Sequence, residues 1–156
     1  MSMKVAIVYG GNSEESEISE ASAREVLRAL SVNFETYLVH IHENAWTCKY
    51  DDADYPVSKD DFSIKVQDER FAFDVVFNAI HGDPGENGKM AAYFDMIKLP
   101  HSSCDFEVAS LTFSKWQCNQ VLKSLGFSVS TSFLLHASEP RMNDQQIAGL
   151  GLPFFL

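Results

Sequence analysis

The chain has 156 residues, enough for one well-packed core or for one domain and the opening of a second, and its 46% hydrophobic and 22% charged residues are the mix of a packed globular fold. Twelve basic against 22 acidic residues give a net charge of −10 with no Lys/Arg cluster longer than two, which argues against nucleic acid or an anionic membrane as partner. Three widely spaced cysteines, Cys48, Cys104 and Cys118, without a CxxC pair, read as reduced thiols of a cytoplasmic protein, neither a disulfide frame nor a zinc site.

In chain order, "KVAIVYGG" is a short apolar run closed by glycines, the pattern of a strand buried on both faces of a parallel sheet. Its five-residue apolar centre is too short for a signal-peptide core or a membrane span. Behind it, residues 12–30 place Ile18, Ala21, Val26, Leu27 and Leu30 at helical spacing. Asn12 or Ser13 is the expected cap, and Glu14, Glu15 and Glu17 fall in the first turns, where the helix dipole favours negative charge. "FETYLVHI" is a second strand, completing a βαβ unit that should be right-handed.

From Glu43 to about Arg70 the aspartates, one proline and lack of a sustained period predict a short hairpin at "AWTCKY" and a surface loop. "FAFDVVFNAI" reads as a third buried strand, with "HGDPGENG" hanging from its C-terminal end. "GKMAAYFDMI" is a helix with Met90, Tyr93, Phe94 and Ile97 on one face. "DFEVASLTF" and "SKWQCNQVLKSLGF" are two further helical stretches that stop at Gly126. "FSVSTSFLL" reads as a strand, "NDQQIAGL" as a short helix, and "GLPFFL" as a strand signal running to the last residue, so the chain looks cut short. The fold class is α/β with a mainly parallel sheet over residues 1–118, and residues 119–156 open a second domain.

Ligands of open α/β sheets bind beyond the carboxyl ends of the strands. The turns "YGGNSEES" and "IHGDPGENG" both fall at such ends and should face one crevice. The first contains neither GxGxxG nor GxxxxGK[ST], and its acidic residues would repel a phosphate, so an ammonium group suits it better. A plainer alternative stands beside this: Gly10 and Gly11 serve only close packing, and the glutamates only the helix dipole, an effect of about 0.3–1 kcal/mol per charge. Spacing does not separate the two. In the second turn His81 precedes Gly82, Gly85 and Gly88, whose backbones can approach a ligand, and Glu86 lies five residues on. Core packing accounts for the cysteines, the tryptophans and the Tyr93–Phe94 pair.

"KVAIVYGGNSEESEIS", "DVVFNAIHGDPGENG" and "LTFSKWQCNQVLKSLGF" stand in the order and at the separations found in D-alanine:D-alanine ligases of the ATP-grasp superfamily, which the chain resembles from residue 4 to its end. The resemblance implies a Rossmann-like substrate domain followed by the start of an ATP-grasp central domain. "LGLPFFL" is similar to the strand leading to an ATP-binding lysine, which would follow Leu156. The implied reaction joins two D-alanines for peptidoglycan: ATP phosphorylates the first carboxylate, the second amine attacks the acyl phosphate, and phosphate leaves with the help of two Mg2+ ions whose ligands lie past Leu156. Carried over by position, Glu15 binds the ammonium of the first D-alanine, His81 lies beside it, Glu86 holds the glycine loop together, and Lys115 contacts ATP phosphate. A cytoplasmic homodimer is also implied, and Trp46, Phe71, Phe73 and Tyr93 look like more aromatic surface than a small core needs. The chain departs from the usual pattern at Asn87 (for Asp), Ala91 and Ala92 (for Gln-Gly), "HSSC" (for a Tyr-Thr-Gly-Ser type turn) and Ser114 (for Asp). D-lactate or D-serine as acceptor, or a non-catalytic binding or dimerisation module, are the alternatives.

Overall fold

The structure, a computed structural model, describes residues 2–43, 45–138 and 141–150. The chain forms two compact units, Met1–Ser110 and Leu111–Leu156.

The first unit is α/β. Strand β1 (Lys4–Gly10) leads through the glycine turn into helix α1 (Ser16–Leu30) and back into strand β2 (Glu35–Ile41), which pairs parallel to β1. Strands β3 (Trp46–Tyr50) and β4 (Ala53–Pro56) form one hairpin and β5 (Ser63–Val66) and β6 (Glu69–Ala72) another; strand β7 (Val75–Asn78) and helix α2 (Lys89–Met96) follow. The main sheet has the order β4-β3-β2-β1-β7, so β1 lies at the centre of a parallel trio and the first hairpin extends the sheet antiparallel.

Alternation along the strands sorts the core into two faces. Val5 and Ile7 point toward α1 and pack with Ala23 and Ala79, while Ala6 and Val8, with Val39, Ile41 and Val76, point the other way onto Phe62, Phe73, Met90 and Phe94. β1 is thus covered on both sides, which is why its sequence is continuously apolar instead of alternating.

The stretch from Glu43 to Arg70 departs from the expectation of one hairpin and a loop. Asp51 and Asp52 (φ 45° and 61°) close the first hairpin and Gln67 and Asp68 (φ 49° and 67°) the second, each a two-residue turn in the left-handed region that matches strand twist and that Asp tolerates. The second hairpin takes Phe71 and Ala72, so "FAFDVVFNAI" is two strands, not one. The break falls at Phe73–Asp74: the Asp74 carboxylate accepts the Lys4 N–H (2.7 Å) while its own N–H donates to the Lys4 carbonyl (2.9 Å). A local turn whose partner lies 70 residues away leaves no trace in local periodicity.

The aromatic residues read as surplus are the core of the second face. Phe73 is buried, and Trp46, Phe71 and Tyr93 pack against the same cluster in edge-on pairs, Trp46–Tyr93 and Tyr37–Phe71 both at 5.1 Å. Cys48 is also fully buried there, and burial pushes its thiol up to about 12, whereas Cys104 is exposed. Native protein is therefore expected to react with a thiol probe at Cys48 more slowly than a free thiol would, by roughly a thousandfold near neutral pH, since only thiolate reacts. Peptide mapping of alkylated Cys48 before and after denaturation checks this.

Helix α3 (Phe106–Phe113) ends just inside the second unit, which also holds α4 (Lys115–Ser124) and α5 (Asp144–Leu150). Gly126, at φ 87°, stops α4, with Phe127 N–H bonded to the Leu122 carbonyl at 3.1 Å. Asn143 and Gln146 cap α5 reciprocally, each side-chain oxygen accepting the other's N–H at 2.9 Å. Residues 127–135, expected as a strand, are not one: among the described residues no strand pairs with them, and β-propensity acts only through such a neighbour. The "GLPFFL" strand signal lies outside the described residues. No helix among the described residues is long and apolar enough to cross a membrane.

Candidate functional site

Because β1 and β7 are adjacent and parallel, the turns that follow them lie side by side at the same sheet end. They are stitched together. Asn12 N–H donates to the Asp83 carbonyl (2.9 Å), and the Ser13 hydroxyl donates to the His81 carbonyl (2.8 Å). Neither Asn12 nor Ser13 caps α1 in the expected way: the helix begins at Ser16 with Glu15 in the cap position, and the Ser13 hydroxyl accepts the Glu15 N–H at 3.3 Å. Of the three glutamates only Glu17 stands in the first helical turn.

Gly82 makes the contact possible. Its φ is 75°, and a Cβ there would lie 2.9 Å from Ser13 Cβ and 3.7 Å from Glu15 Oε2, so only a bare backbone lets the first turn lie over the second. Glu15 itself is exposed, and among the described residues its carboxylate makes no hydrogen bond or ion pair. His81 is half-buried, with Nε2 3.3 Å from the Ser22 hydroxyl of α1.

The glycine loop is braced from within. Glu86 Oε2 accepts the Gly82 N–H (3.1 Å), and the Glu86 N–H donates to the Gly82 carbonyl (2.8 Å). The Asp83 carboxylate takes bonds from Lys89 Nζ (2.6 Å) and from the Asn87 amide; Lys89, opposed in part by burial and seconded by Asn87, holds Asp83 below the usual carboxylate range. Asn87 therefore donates to a carboxylate here, which an Asp at that position would repel. At the end of β7 the Asn78 side chain donates to the Gly85 carbonyl (3.1 Å) and the Ser103 hydroxyl (2.9 Å) and accepts the Ile80 N–H (3.2 Å). Ser102 accepts the Asn78 N–H at 2.9 Å, so two serines of the unusual "HSSC" turn support the loop.

The fold thus gathers Glu15, His81 and Glu86 at one sheet end, while Lys115, exposed at the start of α4, belongs to the second compact unit. Reading the sequence missed Ser13 as a link, Ser22, Asn78 and the fully buried Ser19, whose hydroxyl accepts the Gly10 N–H (2.9 Å) and donates to the Ala79 carbonyl (2.8 Å). One signal pointed to two of them: Ser19, Ser22, Ala23 and Val26 share a helical face, and a serine on a buried face needs a partner. Among the described residues no three His, Cys, Asp or Glu side chains cluster as a metal site.

Comparison with known proteins bears on what this site belongs to. The family described as D-ala D-ala ligase N-terminus matches residues 4–104. The chain is 39% identical over 97% of its length to a D-alanine–D-alanine ligase of Flavobacterium johnsoniae and 38% identical over its whole length to one of Christiangramia forsetii, covering 48% of each. It spans about half the length of the curated relatives it matches. Among solved structures, D-alanine-D-alanine ligase of Aeromonas hydrophila superposes with a TM-score of 0.76 over 96% of this chain and 55% of that one, at 22% identity. D-alanyl-alanine synthetase A of Vibrio cholerae gives 0.74 over 83% and 39%, also at 22% identity, and both likenesses bear on the fold. Since the family match takes in everything from β1 to the serines that hold Asn78, the chain belongs to the D-ala D-ala ligase N-terminus family.

Proposed function

We propose that the chain is the N-terminal, substrate-recognising part of an ATP-dependent ligase that joins two D-alanines. The observation that carries this reading is the Glu15 carboxylate, free of partners among the described residues and lying over the Gly82 backbone between two parallel strand ends. A small zwitterion suits such a place: the carboxylate meets its ammonium, and N–H groups of the glycine loop meet its carboxylate. Glu15 pairs with the ammonium of the first D-alanine. His81 stands beside that substrate, its ring held by Ser22, and Glu86 keeps the Gly82 backbone in place. Lys115 contacts ATP phosphate, and residues 119–156 open the ATP-grasp domain.

ATP with Mg2+, when bound, provides the phosphoryl group and neutralises its charge. On this proposal the residues that would hold Mg2+ lie past Leu156, as the family likeness implies. The complete protein is a cytoplasmic homodimer serving peptidoglycan synthesis; family membership supports that assignment. The test is dipeptide formation by the complete protein with ATP, Mg2+ and D-alanine, run beside mixtures with D-lactate or D-serine. D-alanyl-D-alanine is the expected main product. Phosphate release that does not depend on D-alanine would sink the reading.

A further inference from the structure

Two serines on the segment that carries Glu15 both reach His81, 68 and 59 positions away. The Ser13 hydroxyl donates to the His81 carbonyl at 2.8 Å, and the Ser22 hydroxyl lies 3.3 Å from the His81 ring Nε2. Ser13 also accepts the Glu15 N–H, so a single hydroxyl ties the Glu15 backbone to the His81 backbone. Ser22 sits half-buried in the second turn of α1, one helical turn from Ser19, which anchors the same helix to β1 and to Ala79. His81 is therefore held at its main chain by the first glycine turn and at its ring by α1.

We propose that Ser13 and Ser22 are positioning residues that bracket His81 and lock it to Glu15 as one recognition unit for the first amino-acid substrate; the assignment rests on the ligase reading above. A serine hydroxyl donating to Nε2 leaves the ring proton on Nδ1, so the free ring nitrogen becomes a hydrogen-bond donor, the role a substrate carboxylate requires. Without Ser22 the ring reverts toward the Nε2–H form that imidazole prefers in water. Neither serine touches the substrate in this account. Each acts through His81 or Glu15.

The experiment compares Ser22→Ala, Ser22→Thr and Ser13→Ala with the parent in the complete protein, reading 15N shifts of the His81 imidazole, steady-state constants and melting. Alanine suits a helix interior, so Ser22→Ala is expected to melt close to the parent. Its KM for the first D-alanine should rise about 3- to 10-fold, the worth of one neutral hydrogen bond, with KM for ATP unchanged. The imidazole spectrum should move from the Nδ1–H to the Nε2–H form, and Ser22→Thr should restore both readouts. Ser13→Ala should raise the same KM by a similar factor without changing the tautomer. An Nε2–H ring in the parent, or KM values for D-alanine and ATP rising together, would overturn the bracket. A parent that makes no dipeptide refutes the ligase reading instead, and the imidazole spectra then still decide whether Ser22 sets the ring.

Discussion

Glu15→Gln in the complete protein is expected to raise KM for the first D-alanine by roughly 10- to 100-fold while leaving KM for ATP nearly unchanged, because a charge-assisted hydrogen bond contributes about 1.5–3 kcal/mol and each 1.4 kcal/mol is about tenfold. Glutamine keeps the size and the hydrogen-bonding capacity of glutamate and removes only the charge. The competing account gives Glu15 no task beyond favouring the dipole of α1, which predicts about 1 kcal/mol or less of lost stability and untouched kinetics. The geometry already leans against that account: Glu15 occupies the cap position without making a side-chain cap bond, and its Oε2 is turned toward Gly82. Steady-state constants and a melting curve on one preparation separate the two, and unchanged D-alanine kinetics would remove Glu15 from the site.

Ser19→Ala is expected to produce the largest loss of stability, about 2–4 kcal/mol, from a change of one oxygen atom. The Ser19 side chain is fully buried, and its removal strands the Gly10 N–H and the Ala79 carbonyl, each a buried polar group that then costs about 1–3 kcal/mol. The better helix propensity of alanine returns only about 0.5 kcal/mol. Thermal melting should drop by roughly 8–32 °C, taking 4–8 °C per kcal/mol for a unit of this size. Ser22→Ala is the internal control: it is the same substitution one helical turn on, where the serine bonds a half-buried ring, and it should scarcely shift the melt. Equal melting of the two variants would mean that Ser19 does not join α1 to β1 and β7.

Together the two variants separate what the glycine turns recognise from what holds them. The two turns are held together largely through main-chain groups. Gly82 brings its backbone under Glu15, Glu86 and Asn78 fix that backbone from inside the loop, and Ser19 fixes the sheet ends from which both turns spring. Substitutions at the bracing residues should therefore act on both substrate affinity and stability, whereas Glu15→Gln should act on affinity alone.

The sequence by itself determined β1, α1, β2 and α2, whose apolar residues are the ones that leave water, and it determined the helices α3, α4 and α5 from helical spacing and the stop at Gly126, although no residue of α4 or α5 is buried. It also determined that two glycine turns stand at strand ends, and the residues quoted for the family likeness were sufficient to identify the family. Only the tertiary structure decided the rest. Phe71 and Phe73 belong to one apolar run, yet Asp74 turns the chain between them and β7 to reach Lys4. Residues 127–135 carry the composition of a strand and have no strand to pair with among those described. Ser13 looks like an ordinary helix-start serine and Ser22 like an ordinary helical one until His81 is brought against them across 68 and 59 positions. The physical reason is the same in each case: periodicity records whether a side chain leaves water, while hydrogen-bond partners and strand pairing are chosen among groups distant in sequence, which no local pattern can encode.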